Sequence, residues 1–441
     1  MRGFLLVGIA AALAVGTSPA QTADPTLLAE INKIKAIDNH SHPPRLVAEG
    51  ETDDDYDALP CGPLEPTVPT LAGRPDNPLF LAAWKAMYGY KYDDMSEAHV
   101  RELVVAKQRI RKEQGDRFPE WVLDQSGIEV ELANRVAMGR GLKPPRFLWV
   151  PFVDALMLPL NNQSLATETP DRKFFYQREE MLLKRYLHDL KLDSLPLTLE
   201  QYTARVVTPT LELQKQNGAV AVKFEAAYLR ALDFQPMSLA EANRIYVRYV
   251  RGGVPNKPAY TALQDYLFRY IAAEAGRLGM PVHIHTGAGC GSYFKLSGSD
   301  PLLLDSVLND AELRKTNFVL IHGGAGAFTK QTAFLLMKPN VYADFSEQNW
   351  LISTRKLSEV LRDFLEWYPE KILFGTDLFP GTPEVDWEEI GWQTTQEARE
   401  ALAIALSGMI EDKQITRQRA LELARMVLRD NAVKLYGLQK Q

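Results

Sequence analysis

Short apolar segments alternate with amphipathic stretches along the chain from about residue 34 onward. The apolar segments are rich in Val, Ile and Phe, and the stretches between them repeat apolar residues with the period of a helix. This alternation predicts parallel strands joined by helical crossovers. The segment at 128–133 alternates apolar with polar residues and also fits a helical turn. The eight predicted strands are 34–39, 128–133, 147–153, 219–224, 280–284, 317–321, 340–344 and 371–376.

Eight parallel strands joined by helical crossovers can close into a (β/α)8, or TIM, barrel. Two segments are longer than a simple crossover needs, namely 43–127 after the first predicted strand and 155–217 before the fourth. Loops that follow barrel strands lie on the C-terminal, active face. We therefore predict an α/β barrel with helical insertions on that face and residues 43–127 as a lid. No obvious linker divides residues 24–441, which are predicted to form a single domain.

The N-terminal residues 1–23 have a different character from the rest of the chain. Met1 and Arg2 precede the apolar run GFLLVGIAAALAVGT, which is followed by SPAQTADP. The run has the length of a signal-peptide core and is too short to span a bilayer. A buried N-terminal helix is the alternative, but the run lacks an amphipathic period. With cleavage after Ala20 or Ala23, we predict an exported, periplasmic protein without membrane contact.

The composition is that of a soluble globular protein, with 46% hydrophobic and 24% charged residues and a formal net charge of −6. This charge offers no basic surface for nucleic acid, so the expected partner is a small molecule. Cys61 and Cys290 are the only cysteines. An oxidising compartment permits a disulfide between them, and two buried thiols are the alternative. The sequence leaves the oligomeric state open.

Two histidines, His40 and His42, stand at the end of the first predicted strand. Residues two apart on a strand point to the same side, so both imidazoles can reach one metal ion. Pro43 and Pro44 follow and cannot extend the strand ladder. Taken alone, the His-x-His pair fits two half-exposed histidines on an ordinary strand equally well.

Three further apolar segments end in residues that can bind a metal. GMPVHIHTGAGC delivers His285, NFVLIHGGAG delivers His322, and EKILFGTDLFPG delivers Asp377, each at a turn or loop. His283 also faces the predicted barrel interior, but His285 lies nearer the active rim and is the preferred candidate. The repetition of this arrangement favours a common metal site.

Lys223 lies near the end of the apolar segment AVAVKF, where a lysine is costly unless it is paired or functional. Three interpretations remain open. The lysine could be carbamylated by carbon dioxide and bridge two metals, bind an anionic substrate, or pair with Glu225 on the same strand face.

Together these strand-end residues resemble the metal-site pattern of the amidohydrolase superfamily, in its amidohydrolase-related branch. The resemblance covers about residues 34–437, and its residues follow the expected strands in the expected order. They are His40, His42, Lys223, His285, His322 and Asp377.

The resemblance implies a distorted TIM barrel with a divalent metal at its C-terminal face. His40, His42 and Asp377 would bind the first ion. Zinc suits this set of nitrogen and oxygen ligands best, and manganese is the alternative. Asp377 would also serve as a catalytic residue, accepting a proton from water and passing it to the leaving group.

The resemblance allows one or two metal ions. In the two-metal form a carbamylated Lys223 would bridge to a second ion held by His285 and His322. In the one-metal form His285 would complete the first site, and His322 would act as a catalytic residue that polarises the substrate carbonyl.

Further residues near the predicted strand ends are candidates for binding the substrate or orienting the metal ligands. Tyr228 and Arg230 follow Lys223 and are predicted to bind the substrate, with Arg230 suited to an anionic group; a solvated surface arginine is the alternative. Asp38, Asp154 and Asp344 could orient metal-bound imidazoles, or could serve in capping or loop hydrogen bonds.

The expected activity is that of a metal-dependent hydrolase that cleaves a C–N or C–O bond in a small amide, lactone or ester, which is either neutral or anionic. Two alternatives stay open. One is a metal-dependent non-oxidative decarboxylase, which the resemblance also allows, and the other is a catalytically inactive periplasmic binding module.

Overall fold

The computed structural model describes residues 22–48 and 50–438. The predicted signal peptide lies outside these residues except for its last two, and it stays a prediction. All eight predicted strands are present, mostly shorter than predicted, and the ambiguous second segment is a strand. They are β1 (Ala36–Ser41), β2 (Ile128–Asn134), β3 (Phe147–Val150), β4 (Val222–Phe224), β5 (Val282–His285), β6 (Phe318–Ile321), β7 (Val341–Asp344) and β8 (Ile372–Leu373).

The eight strands form a distorted parallel barrel, as predicted. Strands β1 to β3 form one sheet and β4 to β8 form a second, and every pair within them is parallel. Parallel bridges from Trp149 to Ala219 and from Phe152 to Lys223 join β3 to the β4 segment. The opposite seam is closed near the ends of β8 and β1, where Asp377 N donates to His40 O at 2.8 Å.

Helices connect the strands and cover the outside of the barrel; the second long insertion is largely helical, and the first is helical only in the part after residue 77. The helices are α1 (Pro25–Ile31), α2 (Pro78–Tyr88), α3 (Glu97–Gln114), α4 (Phe118–Ser126), α5 (Gln163–Ala166), α6 (Pro170–Asp189), α7 (Leu199–Tyr202), α8 (Thr208–Gln216), α9 (Ala226–Leu229), α10 (Leu239–Tyr249), α11 (Lys257–Arg277), α12 (Asp305–Leu308), α13 (Thr329–Leu335), α14 (Gln348–Leu351), α15 (Thr354–Trp367), α16 (Trp387–Glu411), α17 (Arg417–Arg425) and α18 (Asn431–Tyr436).

The alternation of side chains along the strands creates two distinct cores. Val222 and Ile284 belong to the large cluster between strands and helices. Side chains of the opposite parity, such as Val319 and Leu373, form a smaller cluster with Ala432 of α18. Because a strand directs every second residue inward, residues of this second parity near the C-terminal strand ends meet in the barrel mouth.

Covalent and ionic contacts hold the first insertion against the barrel. The disulfide that the sequence left open is present: Cys61 of the insertion is bonded to Cys290 in the loop after β5, with a Cα–Cα distance of 5.9 Å. Lys107 of α3 forms a buried ion pair with Glu389 of α16 at 2.7 Å. These contacts position the insertion over the C-terminal face. A search of the described residues finds no helix with the length and apolar character to cross a membrane.

Candidate metal centre

A cavity of about 370 Å³ opens at the C-terminal ends of the strands. The structure brings all six residues of the predicted metal set to its wall, together with Tyr228. The first insertion supplies further wall residues, including Asp57 and Cys61. The six residues are His40, His42, Lys223, His285, His322 and Asp377.

One group of potential ligands consists of His40, His322 and Asp377, whose ligand atoms all lie within 4.8 Å of one another. His40 Nε2 is 3.2 Å from Asp377 Oδ1, and His42 Nε2 is 3.6 Å from the same oxygen. Strands β1, β6 and β8, which lie far apart in the sequence, therefore bring two imidazoles and a carboxylate to one point.

A second group combines His42 with Asp57 and Glu225, again with all ligand atoms within 4.8 Å. Asp57 was not predicted from the sequence; it lies in the acidic run DDDYD of the insertion. Nothing in that run distinguishes one aspartate from its neighbours. Glu225 had a detectable signal, since it follows Lys223 by two residues just as His42 follows His40.

Unusual backbone conformations aim three of the cavity residues. His322, Glu347 and Asp377 have positive φ angles of 66°, 64° and 57°. Such angles are sparsely populated by non-glycine residues and cost on the order of 1–3 kcal/mol each. Of the five non-glycine residues with positive φ in the described part of the chain, these three line the same cavity. The fold thus accepts strain at the ends of β6, β7 and β8 in order to turn these side chains inward.

The hydrogen bonds of His285 and His322 indicate that two lone pairs face each other. His285 Nε2 lies 2.7 Å from the carbonyl oxygen of Ala288 and must donate to it. Burial lowers the pKa of His285 to about 3, so the ring is neutral and Nδ1 carries a lone pair. Ser346 Oγ donates to Asp344 at 2.8 Å and lies 2.9 Å from His322 Nδ1, which therefore donates to Ser346. His322 Nε2 is then also a lone pair, 3.2 Å from His285 Nδ1.

This arrangement fits a bound divalent cation. Two lone pairs this close repel each other unless a positive charge lies beside both. Two imidazole nitrogens that bind one zinc ion at about 2.0–2.1 Å in a tetrahedral arrangement are themselves about 3.3 Å apart. In the described structure both ring nitrogens of His40 and Nδ1 of His42 are buried without hydrogen-bond partners. Unpaired buried ring nitrogens are costly, and a cation would satisfy those that carry a lone pair.

Burial keeps the candidate ligands in the form that binds a metal. It lowers the pKa of His42 to about 4 and lowers the pKa values of His40 and His322 well below the ordinary range, so the imidazoles are neutral. Burial, and then the nearby Glu347 carboxyl, raises the pKa of Asp377 well above its usual range. A cation in the site would oppose that rise and favour the carboxylate.

Lys223 is fully buried at the cavity wall, with its amine between two partners. Nζ donates to Asn134 Oδ1 at 3.2 Å and lies 3.7 Å from Glu225 Oε1. The geometry directly satisfies the third interpretation from the sequence, an ion pair with Glu225. Lys223 also lines the cavity that holds the candidate ligands, and the bridging carbamate stays a prediction.

The structure does not bring Arg230 to the site. Its guanidinium directs all five donors to Ala231 O, Thr261 O, Gln264, Asp233 O and Asp265, and stacks over Phe234. This differs from the predicted anion-binding role because the turn after α9 directs the side chain toward α11 instead of the cavity. Tyr228, the other predicted substrate-binding residue, lines the cavity and packs on His285 with ring centroids 4.7 Å apart.

The three aspartates assigned to orientation have different roles. Asp344 accepts from the His322 backbone at 2.7 Å and from Ser346, so it orients His322 through the serine hydroxyl. Asp38 instead accepts from Thr376, which secures the seam between β1 and β8. Asp154 accepts from the backbone of Glu225 at 2.8 Å, a loop contact.

His283 occupies the interior but not the cavity. Its Nε2 lies 2.7 Å from the hydroxyl of Tyr436 on α18. His283 is two residues before His285 on β5 and therefore lies deeper in the barrel. The choice of His285 over His283 as the cavity residue agrees with this placement.

Glu347 projects from the loop after β7 into the cavity. It was also not predicted from the sequence. Its Oε2 is buried without a hydrogen-bond partner and lies 3.9 Å from His322 Nδ1. Burial raises the pKa of Glu347 to about 8. The available signal was the same as for the histidines, a polar residue shortly after an apolar segment, in VYADFSEQ.

Sequence comparison relates the second half of the chain to a known family. Residues 219–438 match the family model described as amidohydrolase (Amidohydro_2). Protein fluG of Emericella nidulans is 28% identical over 242 residues, which cover 51% of this chain and 26% of that protein. The chain thus spans about a quarter of the length of this curated relative.

Structural comparison finds the same fold over nearly the whole chain. A glucuronate isomerase from Caulobacter crescentus aligns with a TM-score of 0.62 and 14% identity, covering 96% of this chain and 97% of the other. A protein assigned as a metal-dependent hydrolase from Lactobacillus casei aligns with a TM-score of 0.58 and 14% identity, covering 95% and 100%. At such identities these likenesses concern the fold alone. With the family match and the barrel in agreement, the chain belongs to the amidohydrolase superfamily, in its amidohydrolase-related branch.

Proposed function

We propose that this chain is a metal-dependent hydrolase that cleaves a C–N or C–O bond in a small amide, lactone or ester. The observation that carries the proposal is the pair of opposed imidazole lone pairs of His285 and His322, 3.2 Å apart, beside the carboxylate of Asp377. Neutral imidazoles converging with a carboxylate in a concave, buried site are suited to a cation that activates water.

The residues that would hold the first ion are His40, His322 and Asp377, with His285 adjacent. Zinc suits these nitrogen and oxygen ligands, and manganese is the second choice. A second ion would use His42 and the two carboxylates grouped with it. When bound, such an ion would lower the pKa of water to about 7 and polarise a substrate carbonyl.

The protein's own residues would then manage the proton and the substrate. Asp377 would accept a proton as the water oxygen bonds to the carbonyl carbon, and would return it to the leaving nitrogen or oxygen as that bond breaks. The Ser346 and Asp344 relay keeps the Nε2 lone pair of His322 directed into the cavity. Tyr228 forms one wall against which the substrate would be positioned.

The test uses full-length protein stripped of metal with a chelator and then titrated with zinc or manganese. We expect hydrolysis of at least one member of an amide, lactone and ester panel, with activity that appears only on metal addition. Carbon dioxide release from carboxylic acid substrates without any hydrolysis would favour the decarboxylase. A protein that binds neither metal, and gains no thermal stability from either, would favour the binding module.

Replacement of Lys223 by Ala separates a bridging carbamate from the other two roles considered for this lysine. If a carbamate bridges two ions, the variant should retain one metal ion per chain where the wild type holds two. The measurement is the metal-to-protein ratio after dialysis, with Lys295→Ala, an exposed lysine after β5, as the control. An unchanged ratio would exclude the bridging carbamate and leave the ion pair with Glu225 and the binding of an anionic substrate.

A further inference from the structure

A second, larger cavity adjoins the candidate metal centre. Its volume is about 670 Å³, within the range of about 300–1,000 Å³ that is typical of small-molecule sites. It lies between the first insertion and the barrel. The insertion contributes Phe80, Trp84 and Val100, and the barrel side contributes Leu351 and Ile390.

The two cavities share part of their walls. Four residues line both of them: Cys290, Glu347, Trp350 and Phe379. Trp350 and Phe379 pack edge to face, with ring centroids 5.7 Å apart. The second cavity therefore lies directly beside the candidate metal centre, next to these aromatic rings.

The lining of the second cavity selects for an uncharged, apolar group. Most of its surface comes from aliphatic and aromatic side chains and from Thr and Pro. Within the described part of the chain its lining residues include no Lys, Arg or His, and the charged ones are Glu347 and Glu384. An anionic group would find no countercharge there, whereas an alkyl or aryl group would leave water for an apolar wall.

Three contacts hold the first insertion against the barrel around this cavity. The Cys61–Cys290 disulfide closes one side. On another side Trp84 Nε1 donates to the Glu384 carbonyl oxygen at 2.9 Å, which ties α2 to the loop after β8. The buried Lys107–Glu389 pair holds α3 against α16. A preformed apolar cavity of this kind binds without a large ordering cost.

We infer that the second cavity binds a bulky, neutral alkyl or aryl portion of the substrate, while the bond to be hydrolysed lies at the metal centre. This inference rests on the proposed function for the reaction, and on the cavity itself for the binding preference. The substrate class is accordingly an amide or ester with one hydrocarbon-rich side, not a small, fully polar or anionic metabolite.

The first test measures binding alone, in metal-loaded full-length protein. The probe is N-phenyl-1-naphthylamine, a neutral fluorophore that brightens in apolar surroundings. Val100→Glu places a carboxylate in the cavity wall, and we expect it to weaken saturable probe binding by at least about tenfold. Val105→Glu is the matched control, because Val105 lies on the same helix but is 64% exposed. Absence of saturable binding, or equal loss in both variants, would overturn the inference.

The second test measures catalysis with p-nitroanilides of straight-chain acids from acetyl to octanoyl. We expect kcat/KM to rise about fourfold per added methylene until the cavity is filled, and the rise to flatten in Val100→Glu. Hydrolysis that does not depend on chain length, without probe binding, would refute the inference and leave the proposed function standing. Probe binding that Val100→Glu removes, with no anilide hydrolysed, would count against the proposed function and support the apolar site.

Discussion

Replacing Asp377 by Asn is expected to lower kcat by about 10³-fold or more with every substrate that the wild type hydrolyses. General acid–base catalysis contributes about 10²–10⁴-fold, and Asp377 is the carboxylate closest to both His40 and His42. An amide cannot accept the proton and is a weaker metal ligand than a carboxylate. We therefore expect reduced metal content as well, measured on the same samples as the steady-state kinetics.

The matched control is Asp154→Asn. Asp154 is also a buried aspartate after a barrel strand, but it accepts from the Glu225 backbone and does not line the described cavity. Burial raises the pKa of Asp154 to about 7, so an uncharged amide resembles a form that is already populated near neutral pH. Metal content and kcat should stay near wild-type values in this variant. Activity of Asp377→Asn within tenfold of wild type would remove Asp377 from the proposed chemistry.

Removing the disulfide is expected to have the largest effect on stability. Cys61 and Cys290 are separated by 229 residues, and the entropy of closing so long a loop in the unfolded chain corresponds to about 5 kcal/mol. The double variant Cys61→Ser, Cys290→Ser should therefore unfold at a markedly lower denaturant concentration than oxidised wild type. The free energy of unfolding from denaturant titration is the measurement.

Reduced wild-type protein supplies the control for the serine substitutions themselves. It should unfold together with the double variant, since both lack the same crosslink. Neither cysteine belongs to the two candidate ligand groups, so metal content should stay unchanged. If oxidised and reduced wild type unfold at the same denaturant concentration, the crosslink contributes nothing to stability and the insertion is held by its other contacts.

Local patterns in the sequence were sufficient to predict the strands, their order and the position of the candidate metal-site residues at the strand ends. The reason is that alternation along a strand assigns each side chain to one face without reference to distant residues. Lys223 and His285 follow this rule, since they share the inward parity of their strands and reach the mouth of the barrel. The ends of the strands were predicted less well. For example, β8 consists of two residues, and the residues after it are hydrogen-bonded to β1 without forming a regular strand.

Tertiary structure decided which residues became partners. Asp57 reaches His42 only because the insertion folds back over the barrel, and no local pattern separates it from the three aspartates that precede it in the run. Arg230 had the right place in the sequence for substrate binding, but Asp265 on α11 draws its guanidinium away.

Tertiary structure likewise decided the pairing of Cys61 with Cys290 and the apolar cavity beside the candidate metal centre. Secondary-structure periodicity is a short-range property, so the printed sequence alone predicts the barrel and the inward-facing residues. Contacts between segments hundreds of residues apart depend on how loops pack, and loop packing has no period to detect. For that reason the strands that carry the candidate ligands, and the long insertion at residues 43–127, could be predicted from the sequence, whereas the disulfide and the second cavity required the folded molecule.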